Sequence, residues 1–133
     1  MDNCAERIDN EYDYEEARIL RVTGIIEPDD EWLEDYGLPR DDRVVTFLTE
    51  HILSFQVCDS DVPRGIKIPR GCYARDMELS TGGPGDGYII IYDSQYDSYV
   101  TAYYYFQDWF DGANKQVPDG SPLAQGLAIL SSW

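Results

Sequence analysis

Long hydrophobic runs are missing from this 133-residue chain: its apolar stretches last only a few residues, far short of the roughly 20 needed to cross a bilayer. Histidine occurs once, at His51. Cysteine occurs three times, at Cys4, Cys58 and Cys72, widely spaced and with no CxxC pair. A zinc site draws on about four thiolate or imidazole ligands, with three protein ligands as the catalytic minimum. The expectation is therefore no metal and no cofactor, with reduced and mostly buried thiols in a cytoplasmic protein. Basic residues are scarce too. Ten Lys and Arg face twenty-six Asp and Glu, a formal net charge of −16. Binding to DNA or RNA depends on Lys and Arg neutralising phosphates, so direct nucleic-acid binding is disfavoured. The opening MDNCAERIDNEYDYEE has no apolar segment and is acidic, unlike a secretory signal or a basic transit peptide.

What is present is enough apolar material for a core, 43% hydrophobic and 14% aromatic, in a length that suits one domain. The charge is uneven. Residues 1–42 hold fifteen acids and four bases, a net of −11, leaving −5 for the rest. Complementary fields speed encounter, so a basic protein is the partner this balance favours.

Residues 1–16 alternate acids with Tyr12 and Tyr14 without a clear period and read as a flexible acidic arm, or a helix only when docked, with a single β-rich domain over 17–133. ARILRVTGII at 17–26 reads as a first, half-buried strand ended by Pro28. DDEWLEDYG at 29–37 reads as a short helix, with Asp29 or Asp30 as cap, Gly37 as the left-handed residue after the last turn and Pro39 preventing continuation. Trp32 and Tyr36 then share one face. RVVTFLTEHILSFQVC at 43–58 suggests two strands or one bent one, and His51 reads as a structural residue. Ile66 and Ile68 suggest an edge strand between two Pro-Arg-Gly turns, guarded by Arg64, Lys67, Arg70 and Arg75. CYARDMEL at 72–79 is a further strand. The glycine-rich STGGPGDG at 80–87 leads into a strand rather than a helix and lacks a P-loop lysine, which excludes a phosphate cradle.

GDGYIIIYD and SYVTAYYYF form a hairpin about the turn Ser94-Gln95-Tyr96-Asp97. Pairing Tyr92 with Tyr99, Ile90 with Thr101 and Tyr88 with Tyr103 gives a tyrosine-rich face. The opposite, aliphatic face (Ile89, Ile91, Val100, Ala102, Tyr104, Phe106) is the expected core. QDWFDGANKQVPDG reads as a loop with Trp109 and Phe110 under the sheet. SPLAQGLAILSSW is either a helix, from Ser121 as cap and Pro122 at the first position, or a closing strand, which the two-sheet reading favours. The fold class expected is mainly β, an antiparallel β-sandwich or partly open barrel with one short helix at 29–37; the alternative is α+β.

The segment HILSFQV…GIKIPRGCYARDMEL, and within it Ile68-Pro69-Arg70-Gly71-Cys72-Tyr73, resembles the middle of small bacterial β-sandwich proteins of the immunity and nuclease-inhibitor kind, such as the competence-associated nuclease inhibitor. The likeness covers about 30 residues and is carried mostly by a turn signature. It implies an inhibitor and carries over no catalytic residue.

The function expected is therefore that of an acidic inhibitory protein-binding protein. It would dock on the basic, nucleic-acid-binding surface of a nuclease toxin or phage-defence complex, as an immunity protein or anti-defence DNA mimic. The acidic candidates are Glu27, Asp29, Asp30, Glu31, Glu34, Asp35, Asp41 and Asp42. The aromatic anchors are Trp32, Tyr88, Tyr92, Tyr99 and Tyr103. The alternatives are a small hydrolase-type enzyme using paired carboxylates (Asp76/Glu78 or Asp108/Asp111) and an acidic assembly protein that dimerises through the tyrosine face.

Overall fold

A computed structural model describes residues 4–58, 65–80, 85–108 and 111–132. It contains helices α1 (Cys4–Val22), α2 (Asp30–Tyr36), α3 (Arg43–Thr46) and α4 (Pro122–Ser131). Strands β1 (Ser54–Val57), β2 (Cys72–Ser80), β3 (Gly85–Asp93), β4 (Tyr99–Asp108) and β5 (Asp111–Gln116) complete it. The strands form one antiparallel meander in the order β1-β2-β3-β4-β5. The architecture is α+β, and the described sheet stays open, so the sandwich or barrel expectation gives way to helices packed on one sheet face. That face carries Met77, Tyr88, Ile90, Tyr92, Ala102, Tyr104 and Phe106, in one core with Ile8, Tyr12, Ile19 and Val22 of α1 and Leu123, Leu127 and Leu130 of α4. The opposite face holds a smaller cluster of Ala74, Ile89, Ile91 and Tyr105, against which Ile66 and Ile68 pack.

The expected arm at 1–16 and first strand at 17–26 are replaced by α1 and the turn after it. Ile8, Tyr12, Glu15, Ile19 and Val22 recur at four- and three-residue steps, and all five are buried. That stripe is the helical period. Of the acids between them, Asp9 and Asp13 are exposed and Glu11 and Glu16 half-buried. Helix α2 follows its sequence signals closely. Asp29 accepts a hydrogen bond from the Trp32 amide at 2.8 Å, and Gly37 takes φ 66° at the end, where a side chain would be strained.

Arg43 to Leu53 departs from the strand expectation. Helix α3 runs into one π-helical turn, Phe47–His51, that buries Phe47, and only Ser54–Val57 is strand. Ile66 and Ile68 lie outside any strand and act as a cover. Trp109 and Phe110 fall outside the described residues, and the expected loop after Phe106 is largely strand β5. The C-terminal segment is helix rather than closing strand. Ser121 caps it by accepting from the Ala124 amide, and Pro122 opens its first turn.

The β3–β4 hairpin has the expected turn and the expected Tyr92–Tyr99 pair, but Ile90 faces Ala102 and Tyr88 faces Tyr104. Val100 is the extra residue of a β-bulge between these pairs. One inserted residue exchanges the faces of everything beyond it. Ile89 and Ile91 therefore leave the main core, and Tyr88 and Tyr92 enter it. The tyrosine-rich face does not exist as a surface. Tyr88 and Tyr92 lie beneath the helices, Tyr99 packs half-buried against the same core, and Tyr103 is on the other side.

Candidate docking surface and the buried carboxylate pair

Glu27, Asp29, Asp30, Glu31, Glu34, Asp35, Asp41 and Asp42 are all exposed, on α2 and the turns either side of it. Arg40 draws part of this set together. Its guanidinium lies 2.7 Å from Glu27 and 2.6 Å from Asp30, and these pairs hold it above its ordinary pKa. Arg43 reaches the other oxygen of Glu27 at 3.8 Å and donates to the Arg21 and Val22 carbonyls at the end of α1. Glu31, Glu34 and Asp35 have no ion pair among the described residues.

Of the five aromatic candidates only Trp32 belongs to this surface. It stacks on Tyr36 with ring centroids 4.4 Å apart, and Tyr36 lies 6.5 Å from Tyr14 of α1. The hydroxyls of Tyr36 and Tyr14 share a hydrogen bond at 3.1 Å, the main reason the Tyr14 phenol is pushed up to about 12. Tyr14 is 51% exposed. The result is a three-ring ladder bridging two helices, with carboxylates on both. Sequence reasoning paired Trp32 with Tyr36 but missed Tyr14, because the helical period of α1 is carried partly by Tyr12 and Glu15.

A second feature lies where α1 crosses β3. Glu15 and Asp86, 3% and 7% exposed, share a hydrogen bond. The Tyr104 hydroxyl donates to one Asp86 oxygen at 2.6 Å and the Ser80 hydroxyl to the other at 2.5 Å. Burial, only partly opposed by Arg18, pushes Glu15 up to about 8, and the neighbouring Asp86 adds to the rise. The protonated form of Glu15 is therefore favoured at neutral pH. Arg18 lies 3.6 Å from Glu15, too far for a hydrogen bond, and stacks over the Phe47 ring. Glu15 Oε1, Arg18 Nε and Nη2 and the hydroxyls of Tyr12 and Tyr88 are buried without hydrogen-bond partners. A pocket of about 200 Å³ opens beside the pair, lined by Glu11, Tyr14, Glu15, Arg18, Leu79, Ser80, Asp86 and Phe106.

The carboxylate pairs expected from sequence lie elsewhere. Asp76 accepts from the Tyr105 hydroxyl on the far face of the sheet, with Glu78 two positions along the same strand. Asp108 and Asp111 face each other across the β4–β5 turn, their side chains outside the described residues. His51 is half-buried with its ring 6.2 Å from that of Phe47, and no described hydroxyl or thiol bonds to it. Of the expected basic cluster, Arg64 lies outside the described residues. Arg75 turns away to stack on Phe55 and donate to its carbonyl, leaving Lys67 and Arg70 exposed. Among the described residues no group of three or more His, Cys, Asp or Glu is placed to hold a metal ion, and no helix is long and apolar enough to cross a membrane. No protein-family model, curated protein or solved structure matches the chain.

Proposed function

We propose that this chain is an inhibitory protein that docks, through the surface formed by α2 and the adjoining part of α1, on the basic nucleic-acid-binding surface of a partner. A nuclease toxin or a phage-defence complex fits that description, with the chain as an immunity protein or anti-defence DNA mimic. The observation that carries this reading is the Trp32–Tyr36–Tyr14 ladder set among carboxylates on ordered helices. A groove built for nucleic acid is already lined with Lys and Arg. Carboxylates held on helices compete for those charges, while aromatic rings with little side-chain entropy to lose supply contact area and cation–π attraction. Enzymatic use of the Glu15–Asp86 pair is less favoured, because hydroxyls already occupy both Asp86 oxygens.

Binding of an octa-arginine peptide, followed by Tyr14 and Trp32 signals, tests the reading. The affinity is expected to fall at least about tenfold when salt rises from roughly 0.05 to 0.3 M. Absence of binding at low salt, or an affinity indifferent to salt, would contradict it.

A further inference from the structure

The pocket beside Glu15 adjoins the docking surface, since Tyr14 belongs to both the ladder and the pocket lining. Its titratable lining is three acids, Glu11, Glu15 and Asp86, against the one cation Arg18. An anion entering it would meet all three. Glu15 is almost completely buried, and its Oε1 has no hydrogen-bond donor. An acceptor in that state costs desolvation energy that a donor from outside recovers. The surrounding rings already suit planar cations. Arg7 sits 4.8 Å from the centroid of Phe106, a lining residue, and Arg18 lies over Phe47.

We infer that this pocket receives a single guanidinium group, an arginine side chain of the basic partner, which donates to Glu15 and Glu11 against the Tyr14 ring while the proton held by Glu15 passes to solvent. The inference rests on the docking reading for the identity of the cation's owner. A guanidinium is favoured over an ammonium because its planar fork can donate to two carboxylates at once and stack on a ring. At neutral pH the exchange replaces the carboxyl proton with a fixed cation, so binding tightens as pH rises toward 8 and Glu15 becomes easier to ionise.

Methylguanidinium is the probe, titrated into the intact protein while the side-chain carboxyl NMR resonances of Glu and Asp are followed. A saturable shift of the Glu15 resonance is expected, with release of up to one proton at pH 7. Apparent affinity should fall about tenfold in Glu15→Gln and severalfold in Glu11→Gln, a half-buried position whose change leaves the core untouched. Ethylammonium should bind more weakly and acetate not at all. If the Glu15 resonance stays still while exposed carboxyls shift, or acetate competes, the inference is overturned. The octa-arginine measurement separates the two proposals. Salt-sensitive peptide binding that is indifferent to Glu15→Gln and Glu11→Gln removes the pocket and keeps the surface. Methylguanidinium binding without peptide binding keeps the pocket and removes the surface.

Discussion

Raising the pH from about 5 to about 9 is expected to lower the melting temperature, and Glu15→Gln is expected to remove most of that slope. The folded chain holds the Glu15 proton up to about pH 8, whereas the unfolded chain releases it near the ordinary value of 4.5. Between those limits the folded state binds more protons, so stability is highest at the acidic end, falls as pH rises through the window and levels off above it. Each unit of difference is worth about 1.4 kcal/mol. With Arg18 and Asp86 adjusting around the site, a loss on the order of 3 kcal/mol, or roughly 10 °C, is expected. The Gln side chain can still donate to Asp86 and cannot ionise. The variant should match the parent near pH 5 and exceed it near pH 9. The large negative charge of the whole chain also favours acid conditions, but it acts on both proteins alike. Parallel melting profiles would contradict a buried proton at Glu15.

Deleting residues 1–16 is expected to abolish cooperative folding. The deletion removes the buried side chains of Ile8 and Tyr12, each worth about 1.5–3 kcal/mol, and the edge-to-face contact of Tyr12 with Tyr104, worth about 1 kcal/mol. It also removes Glu15 and uncovers Tyr104 and Phe106. Domains of this size hold on the order of 5–15 kcal/mol in total, so these losses together consume most of it. Urea unfolding followed by circular dichroism is the check. A truncated chain that unfolds as cooperatively as the full one would mean that α1 is the dispensable arm its composition suggests. Tyr12→Ala is the graded version, with an expected loss of about 3 kcal/mol.

These two predictions concern the part of the fold that was hardest to read. Helix α2 was legible because each signal is local: a capping Asp, a terminal Gly and a following Pro act within a few residues of where they stand. Strands β2, β3 and β4 were legible through their β-branched and aromatic content. Helix α1 was hidden because two of its five buried stripe positions are Tyr12 and Glu15, residues that count as surface in a hydropathy pattern; here Tyr12 packs edge-on against Tyr104 and Glu15 lies against Asp86. The bulge at Val100 was invisible because alternation within each strand is unchanged by an extra residue between them. Strand β5, DGANKQ, alternates no apolar residues, being an edge strand that turns only Ala113 and Lys115 toward α1. Gly126, in the middle of α4, is compatible with a strand as well as a helix. In the fold it lets α4 approach α1 so closely that an added Cβ would lie 3.0 Å from Ile19. The eight acids on and around α2 were legible by position and are all exposed. Their aromatic companions were not, because Tyr14 joins them only once α1 is a helix.

The most direct test of the docking claim holds total charge constant and moves the site of neutralisation. One variant replaces Glu31, Glu34 and Asp35 with Gln, Gln and Asn; the other makes the same changes at Glu50, Glu78 and Asp119, which lie outside α1 and α2. The affinity of each for octa-arginine is measured at low salt. The first should bind at least about tenfold more weakly than the second, which should stay within about threefold of the parent. Equal weakening of the two would show that only net charge attracts the peptide, and that α2 and its rings form no docking surface.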